Sequence, residues 1–326
     1  MNTFDPNALR YPFPYATNRH AQTMEKKIGE WLLTDYSFLP EKVRKKYITT
    51  GVGHAGGCLF PRANEAQLTA ICRFFLWAFT IDDSFEFSSV GQLETIRGKA
   101  MKYLRGIISH SKEPLYLHLP ILRNELLQLG SERWLNRFNT SLETYFDGIQ
   151  QEIPFRKNMT FPTWEQFIAI REKAVNVHTL VNLAELITGC ILPDQVIFHP
   201  VIQELTRLTC RILSWENDFF SAHMEKGNDV LNLVLMMEHE QQCSTEEAYQ
   251  HAINFHNEDL RQFCSLVDTL PNFTDYTHGV KAFIENLSFM IHGHFHWGQT
   301  LTKRYDSMIA GHPSDELKDG NLSINA

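Results

Sequence analysis

The sequence lacks any hydrophobic run that approaches 18 uninterrupted residues, which argues against a membrane-spanning helix. Its first residues, Met-Asn-Thr-Phe-Asp-Pro, also lack the basic and apolar segments of a secretory signal. The six cysteines are widely separated and form no CxxC pair, a pattern typical of buried thiols in a reducing compartment. We therefore expect a cytoplasmic protein without a transmembrane segment.

An excess of positive charge is also missing. The 326 residues include 30 Lys and Arg against 38 Asp and Glu, which gives a formal net charge of −8, and the basic residues are scattered along the chain. A nucleic-acid-binding surface needs clustered basic residues, so we expect no nucleic-acid partner. An anionic ligand would require a local basic pocket.

Several catalytic motifs are absent as well. The chain has no GxSxG sequence, no P-loop and no dinucleotide-binding glycine motif, and the glycine-rich stretch 51–57 lacks the Lys-Ser/Thr pair of a phosphate loop. An HxHxH sequence is present at His292, His294 and His296, but in a helix only the first and third share a face, which argues against a zinc site. None of these patterns supplies a convincing site.

Helical spacing is what the chain has in abundance. Apolar residues recur at helical intervals from about residue 65 to 79, and Thr163 and Ser244 are each followed three residues later by the Gln or Glu of a capping box. Pro154 and the glycine-rich stretch 51–57 predict breaks between helices. Since no alternating run predicts a strand, the fold class is all-α.

The helices follow one another without a polar linker, which predicts one domain over residues 1–326. Its ends are predicted to be an extended N-terminal segment, 1–21, and a flexible tail, 311–326. A division into two domains near residue 155 is the alternative.

The most informative stretch reads Asn-Asp-Phe-Phe-Ser-Ala-His-Met-Glu and spaces three oxygen ligands at intervals of four. In a helix, Asn217, Ser221 and Glu225 lie on one face, a turn apart, where they can converge on one hard cation. A polar stripe on an amphipathic helix is the alternative. The residues just before the stretch are largely apolar, however, and polar groups that emerge from a buried helix need partners.

A second cluster, Asp82, Asp83 and Glu86, follows a nearly uncharged aromatic run. Three carboxylates at a helix C-terminus repel one another and the helix dipole, and a metal ion would relieve both effects. A solvated acidic turn is the alternative. Two oxygen-ligand clusters at the ends of buried helices match what a diphosphate requires, namely Mg²⁺ ions that bridge protein carboxylates and phosphoryl oxygens.

These two motifs make the chain similar to the class I terpene synthases of the microbial type. The family's aspartate-rich motif matches residues 82–86, and its Asn-Ser-Glu triad matches the NDxxSxxxE sequence. Two further signals appear in the family's order along the chain: its diphosphate-sensing arginine, at Arg171, and its closing Arg-Tyr pair, at Arg304 and Tyr305. The resemblance covers residues 11 to 305.

The resemblance implies a class I isoprenoid-synthase helical bundle around a central active-site cavity. It also implies an isoprenyl diphosphate substrate and three Mg²⁺ ions, held by the Asp82/Asp83 side and by the triad side. Arg171, Arg304 and Tyr305 would grip the phosphate oxygens. Homodimers are common in the family, so a homodimer is one implied assembly state.

The chain departs from the family at two places. Met224 stands where a Lys or Arg usually precedes the triad's glutamate, so one diphosphate contact is expected to be either missing or supplied by Lys226 or His223. Val175 lies where a small effector residue often follows the sensing arginine, and it is bulkier than expected.

A carbocation would be quenched by water, so the reaction needs a dry pocket with apolar and aromatic walls. Phe75 and Phe79 precede Asp82 by seven and three residues and share its helix face, and Trp297 lies two turns before Arg304. Their rings could stabilise cations, although ordinary core packing explains each of them equally well.

The expected function is therefore Mg²⁺-dependent ionisation of a linear isoprenyl diphosphate, followed by cyclisation and release of diphosphate. Farnesyl diphosphate is the preferred substrate because C15 substrates are frequent in the family, and geranylgeranyl diphosphate, giving a diterpene, is the alternative. A chain-elongating prenyltransferase and a non-catalytic helical binding protein are the remaining alternatives. The elongase normally has two aspartate-rich motifs, whereas the second motif here is Asn-Ser-Glu.

Overall fold

The computed structural model describes residues 4–85 and 88–306, and helices dominate it. No β-strand occurs in these two ranges, so the all-α prediction is confirmed. The α-helices are α1 (Ala21–Thr34), α2 (Glu41–Thr50), α3 (Val52–Leu59), α4 (Glu65–Phe85), α5 (Val90–Leu104), α6 (His118–Leu129), α7 (Glu132–Asn158), α8 (Trp164–Ala174), α9 (Val177–Ile187), α10 (Asp194–Ile197), α11 (Pro200–Glu225), α12 (Leu233–Gln241), α13 (Thr245–Asp268) and α14 (Thr277–His296).

The helices pack around α11, which lies against α8, α9, α12, α13 and α14. On the other side, α4 packs against α1, α3, α6 and α9, and α7 packs against α5, α8 and α9. Trp77 of α4, Trp134 of α7 and Trp215 of α11 are fully buried. Burying side chains of this size supplies much of the hydrophobic stabilisation of such a bundle.

The break predicted for stretch 51–57 is confined to Gly51, which ends α2 with a φ of 69°, and the rest of the stretch belongs to α3. Its glycines allow neighbouring helix backbones to touch: a Cβ on Gly53 would lie 2.7 Å from the backbone nitrogen of Glu25 in α1. On the facing helix α14, a Cβ on Gly293 would lie 2.1 Å from the carbonyl oxygen of Cys58. The missing side chains thus favour close packing here, which outweighs the low helix propensity of glycine.

The sequence predicted that Pro154 ends a helix. Instead, Pro154 lies inside α7, and the helix continues to Asn158. The proline removes one backbone hydrogen bond, a cost that tertiary contacts offset. The guanidinium of Arg156 lies 2.8 Å from Oε2 of Glu152 and 2.9 Å from Oδ2 of Asp229, and both carboxylates are buried. The extra turn carries Arg156 to the wall of the central cavity.

The N-terminal segment packs along the bundle before α1 begins. The Phe4 ring stacks on Tyr249, with 5.8 Å between ring centroids. The Asn18 side-chain amide donates to the carbonyl of Ala63 at 2.7 Å. Both capping boxes, at Thr163 and Ser244, form as predicted.

Two expectations fall outside the described ranges, namely the carboxylate of Glu86 and the tail 311–326. Within the described ranges, no helix is long and apolar enough to cross a membrane.

Candidate active site

A cavity of about 460 Å³ lies between α4, α8, α9, α11 and the end of α14. One face of α4 reaches it with Phe75, Phe79, Asp82 and Asp83, which follow helical spacing. The two oxygen-ligand clusters, 135 residues apart by the numbering of Asp82 and Asn217, line this same cavity. The expected central cavity therefore exists, and the fold brings both motifs to it.

The acidic wall is held by two cations. Asp83 accepts hydrogen bonds from Arg304 at 2.9 and 3.2 Å, and Nζ of Lys46 lies 3.2 Å away. Burial by itself would raise the pKa of Asp83, but these positive charges outweigh it and hold the pKa at about 2. Asp82 lies beside it with a half-exposed side chain, 3.4 Å from Arg304.

The opposite wall is the triad on α11. Asn217, Ser221 and Glu225 all border the cavity, one turn apart. The Asn232 side chain, at the start of α12, donates to Oε2 of Glu225 at 2.8 Å and to Oγ of Ser221 at 3.3 Å. The Nδ2 of Asn217 donates to the Tyr305 hydroxyl at 2.9 Å. The three oxygens are thus oriented by fixed partners.

The charges around Glu225 fit a cation. Burial, together with the nearby carboxylates of Asp229 and Asp218, raises the pKa of Glu225 to about 7. Such crowded carboxylates are destabilising unless a proton or a positive ion neutralises them. Oxygen ligands of this kind suit a hard divalent ion, so the residues present fit a metal such as Mg²⁺.

Arg171 is buried behind the triad. Its guanidinium forms an ion pair with Asp218, and Nη1 lies 3.6 Å from Oε1 of Glu152. Asp218 also accepts the backbone N–H of Leu233 at 2.8 Å, which ties α8, α11 and α12 together. Arg171 nevertheless lines the cavity, so its side chain is accessible from the cavity as well as paired with Asp218.

The segment after α14 borders the cavity. Arg304 reaches across to the acidic wall and lies over the Phe79 ring, 4.9 Å from its centroid. Tyr305 stacks on Phe220 at 5.3 Å and bonds to Asn217 of the triad wall. Two consecutive residues therefore join the two walls.

The predicted pocket residues all border the cavity. The Trp297 ring is 2% exposed, and its Nε1 donates to the carbonyl of Thr50 at 3.1 Å, so it is held firmly. Val175 is the C-cap of α8, and Asn176 follows with a φ of 61°, so the helix is interrupted at this point before α9 begins. Further apolar lining comes from Ala55, Leu59, Ala78, Ala174, Val177, Leu180, Leu213 and Leu231.

Lys226 requires a correction. Its ammonium lies 2.6 Å from Glu238 and 2.7 Å from the hydroxyl of Thr245, and it does not line the cavity. The helix ends just before it, which turns its side chain toward α12 and α13. His223, the other expected substitute, does not line the cavity either.

Two basic residues that the sequence patterns did not identify border the cavity. Lys46 lies on the acidic side, and Arg156 borders the cavity near the triad. Neither belongs to a motif, so spacing along the chain gives no signal for them. Only the packing of α2 and α7 brings these charges to the site.

The three histidines of HxHxH have separate partners. His292 contacts the carbonyl of Phe13 at 2.6 Å, and His296 stacks on Tyr15 with centroids 3.9 Å apart. His294 lines the cavity. Within residues 4–85 and 88–306, no group of three or more His, Cys, Asp or Glu side chains is arranged to hold a metal.

Comparison with known proteins identifies the family. The model of terpene synthase family 2, C-terminal metal binding, matches residues 73–262, which is more than half of the chain. Germacrene A synthase of Nostoc punctiforme is 27% identical over 304 residues, covering 91% of this chain and 94% of that protein. 10-epi-Cubebol synthase of Sorangium cellulosum is 28% identical, covering 92% and 98%.

The fold agrees with solved structures. Germacradien-4-ol synthase from Streptomyces citricolor superposes with a TM-score of 0.78 at 20% identity, over 91% of this chain and 99% of that one. The expected class I helical bundle is therefore confirmed. The chain belongs to the microbial-type class I terpene synthases, which are metal-binding lyases that act on prenyl diphosphates.

Proposed function

We propose that the protein is a sesquiterpene cyclase, which uses Mg²⁺ to ionise farnesyl diphosphate and cyclises the resulting carbocation. The observation that carries this proposal is the single cavity in which both oxygen-ligand walls face an apolar interior. Among the relatives, the protein named (+)-T-muurolol synthase ((2E,6E)-farnesyl diphosphate cyclizing), from Roseiflexus castenholzii, is 25% identical over 90% of this chain, which supports the C15 substrate.

The diphosphate would lie between the two walls. Three Mg²⁺ ions bound there would neutralise the negative charge that develops on the leaving group. Their protein ligands would be Asp82, Asp83, Asn217, Ser221 and Glu225. Glu86 belongs to the same acidic motif.

The arginine side chains of the cavity, together with Tyr305, would bind the phosphate oxygens directly. Arg304 and Tyr305 border the cavity, as do Arg171 and Arg156. A guanidinium can donate two parallel hydrogen bonds to a phosphate. Because Arg304 donates to Asp83, it would exchange part of this contact for the diphosphate as the site closes on the substrate.

The apolar interior would receive the isoprenyl chain. Phe75, Phe79, Val175 and Trp297 supply much of this surface, and they would exclude water from the cation. An aromatic face can also stabilise a nearby cation by about 0.5–2 kcal/mol.

The cytoplasmic location and a homodimer remain predictions.

A direct test is to incubate the purified protein with Mg²⁺ and farnesyl or geranylgeranyl diphosphate separately. We expect diphosphate release and a cyclic C15 product from farnesyl diphosphate, identified by gas chromatography and mass spectrometry, and none after chelation of the metal. A cyclic C20 product alone would select the diterpene alternative. Longer prenyl diphosphates would identify an elongase, and no diphosphate release with either substrate would refute both enzymes.

A further inference from the structure

His294 forms a buried pair with Glu216 beside the proposed hydrocarbon space. Its Nδ1 lies 2.7 Å from Oε2 of Glu216, whose side chain is completely buried. The His294 ring lines the cavity and lies 5.8 Å, between centroids, from the Trp297 ring. This pair belongs to neither the aspartate-rich motif nor the triad.

The partners of Glu216 determine which nitrogen of His294 carries the proton. Oε1 accepts a hydrogen bond from the Tyr11 hydroxyl at 2.6 Å, and Nε2 of His256 lies 3.8 Å from it. The Tyr11 hydroxyl already donates to this carboxylate, so the carboxylate is the acceptor and Nδ1 of His294 is the donor to Oε2. In the neutral ring, Nε2 then carries the lone pair, and among the described residues it has no hydrogen-bond partner.

A histidine held in this way is a suitable proton acceptor. The carboxylate fixes the ring orientation and the tautomer, and it stabilises the imidazolium that forms when Nε2 takes a proton. Burial strengthens this effect because the charges interact in a medium of low dielectric constant. The acidic residues of the two walls, by contrast, are engaged by cations or proposed as metal ligands.

We propose that His294 accepts the proton that ends the carbocation cascade, with Glu216 as its positioning residue. A C–H bond next to the cationic carbon breaks, and its electron pair forms the new C=C bond. The proton goes to Nε2 of His294, and the charge of the imidazolium is balanced by the Glu216 carboxylate. After product release, the proton passes to water that enters the cavity.

This inference rests on the proposed function, and it adds how the reaction ends. It assigns the site of deprotonation to one side of the cavity, near Trp297. It also predicts that the main product is a hydrocarbon, because the cation loses a proton instead of capturing water.

The test compares product profiles of the full-length protein with Mg²⁺ and farnesyl diphosphate. In His294→Phe, which keeps a ring of similar size, the share of the main hydrocarbon should fall about tenfold, in favour of alcohols or of isomers with another double-bond position. Glu216→Gln should shift the profile in the same direction, although Glu216 does not line the cavity. The control His296→Phe, on the same helix but outside the cavity, should give the wild-type profile.

A rescue experiment separates chemistry from shape. In His294→Ala, added imidazole should restore the main hydrocarbon in proportion to its concentration, and this readout also decides the question if Glu216→Gln does not fold. Restoration supports the proposal. A wild-type profile in His294→Phe, a lack of rescue, or a folded Glu216→Gln with unchanged products would overturn it.

The wild-type protein distinguishes this proposal from the proposed function. Cyclic products that are only alcohols would overturn the proton-acceptor role alone. No diphosphate release from wild-type protein would overturn the proposed function, and the present inference with it.

Discussion

Asp83 offers the sharpest test of how the acidic wall is held. Its carboxylate is buried between Lys46 and Arg304, and these charges hold its pKa at about 2. A free aspartate has a pKa of about 3.9, and one pKa unit corresponds to about 1.4 kcal/mol. The carboxylate therefore contributes about 2.5 kcal/mol to the free energy of unfolding at neutral pH.

We expect Asp83→Asn to lower the free energy of unfolding by about this amount, because the neutral amide removes the buried charge that pairs with Lys46 and Arg304. Urea unfolding followed by circular dichroism would measure the loss. Because the folded-state pKa is depressed, the contribution is complete above about pH 5 and disappears as the pH falls through about 4 toward 2. The difference in the free energy of unfolding between wild type and Asp83→Asn should therefore become smaller as the pH falls over that range.

Asp82→Asn is the matched control. Its side chain is 53% exposed and lies 3.4 Å from Arg304, so its loss should change the free energy of unfolding by less than about 1 kcal/mol. Both variants should lose turnover, because both residues are proposed metal ligands. Two results would show that the Asp83 charge does not stabilise the fold in this way. One is equal destabilisation by the two variants, and the other is a stability difference between wild type and Asp83→Asn that does not depend on pH.

Three further predictions concern the triad, the packing and the metal. Asn217→Ala should lower turnover about 100-fold and cost only about 1 kcal/mol of stability, since its one hydrogen bond goes to Tyr305. Gly293→Ala should lower the free energy of unfolding in urea by at least about 1–3 kcal/mol through overpacking, whereas Gly98→Ala, with open space around it, should be neutral or stabilising. Burial raises the pKa of Glu225 to about 7, so Mg²⁺ affinity measured by calorimetry should fall about tenfold per pH unit below that value.

Each of these predictions has a contrary result. Unchanged turnover in Asn217→Ala would remove the triad from the mechanism. A Gly293→Ala protein as stable as wild type would show that α3 and α14 can separate at little cost. If the Mg²⁺ affinity is constant between about pH 5 and pH 8, protons do not compete with the metal at Glu225.

Local patterns of the sequence predicted the helical fold well. Both capping boxes form, and residues spaced by three and four do share a face, as Phe75, Phe79 and Asp82 show. These features depend on the geometry of a single helix, so the spacing of residues is enough to predict them.

Local patterns failed where tertiary contacts outweigh intrinsic preference. Pro154 lies inside α7 because the turn beyond it is held by buried ion pairs, and stretch 51–57 is helical because its glycines let three helices touch. Lys226 was predicted to contact diphosphate, but the end of α11 turns it toward Glu238. Arg156 and Lys46 had no motif to identify them.

The sequence by itself determined the kinds of chemistry available: two sets of oxygen ligands on helices, several cations and an apolar lining. The tertiary structure alone decided which of these groups meet, because residues as distant as Lys46, Asp83 and Arg304 come together only when α2, α4 and the segment after α14 pack together. The same holds for the pair of His294 and Glu216, which lie 78 residues apart along the chain. Spacing along one helix is encoded locally, whereas contact between helices depends on how the whole core is filled.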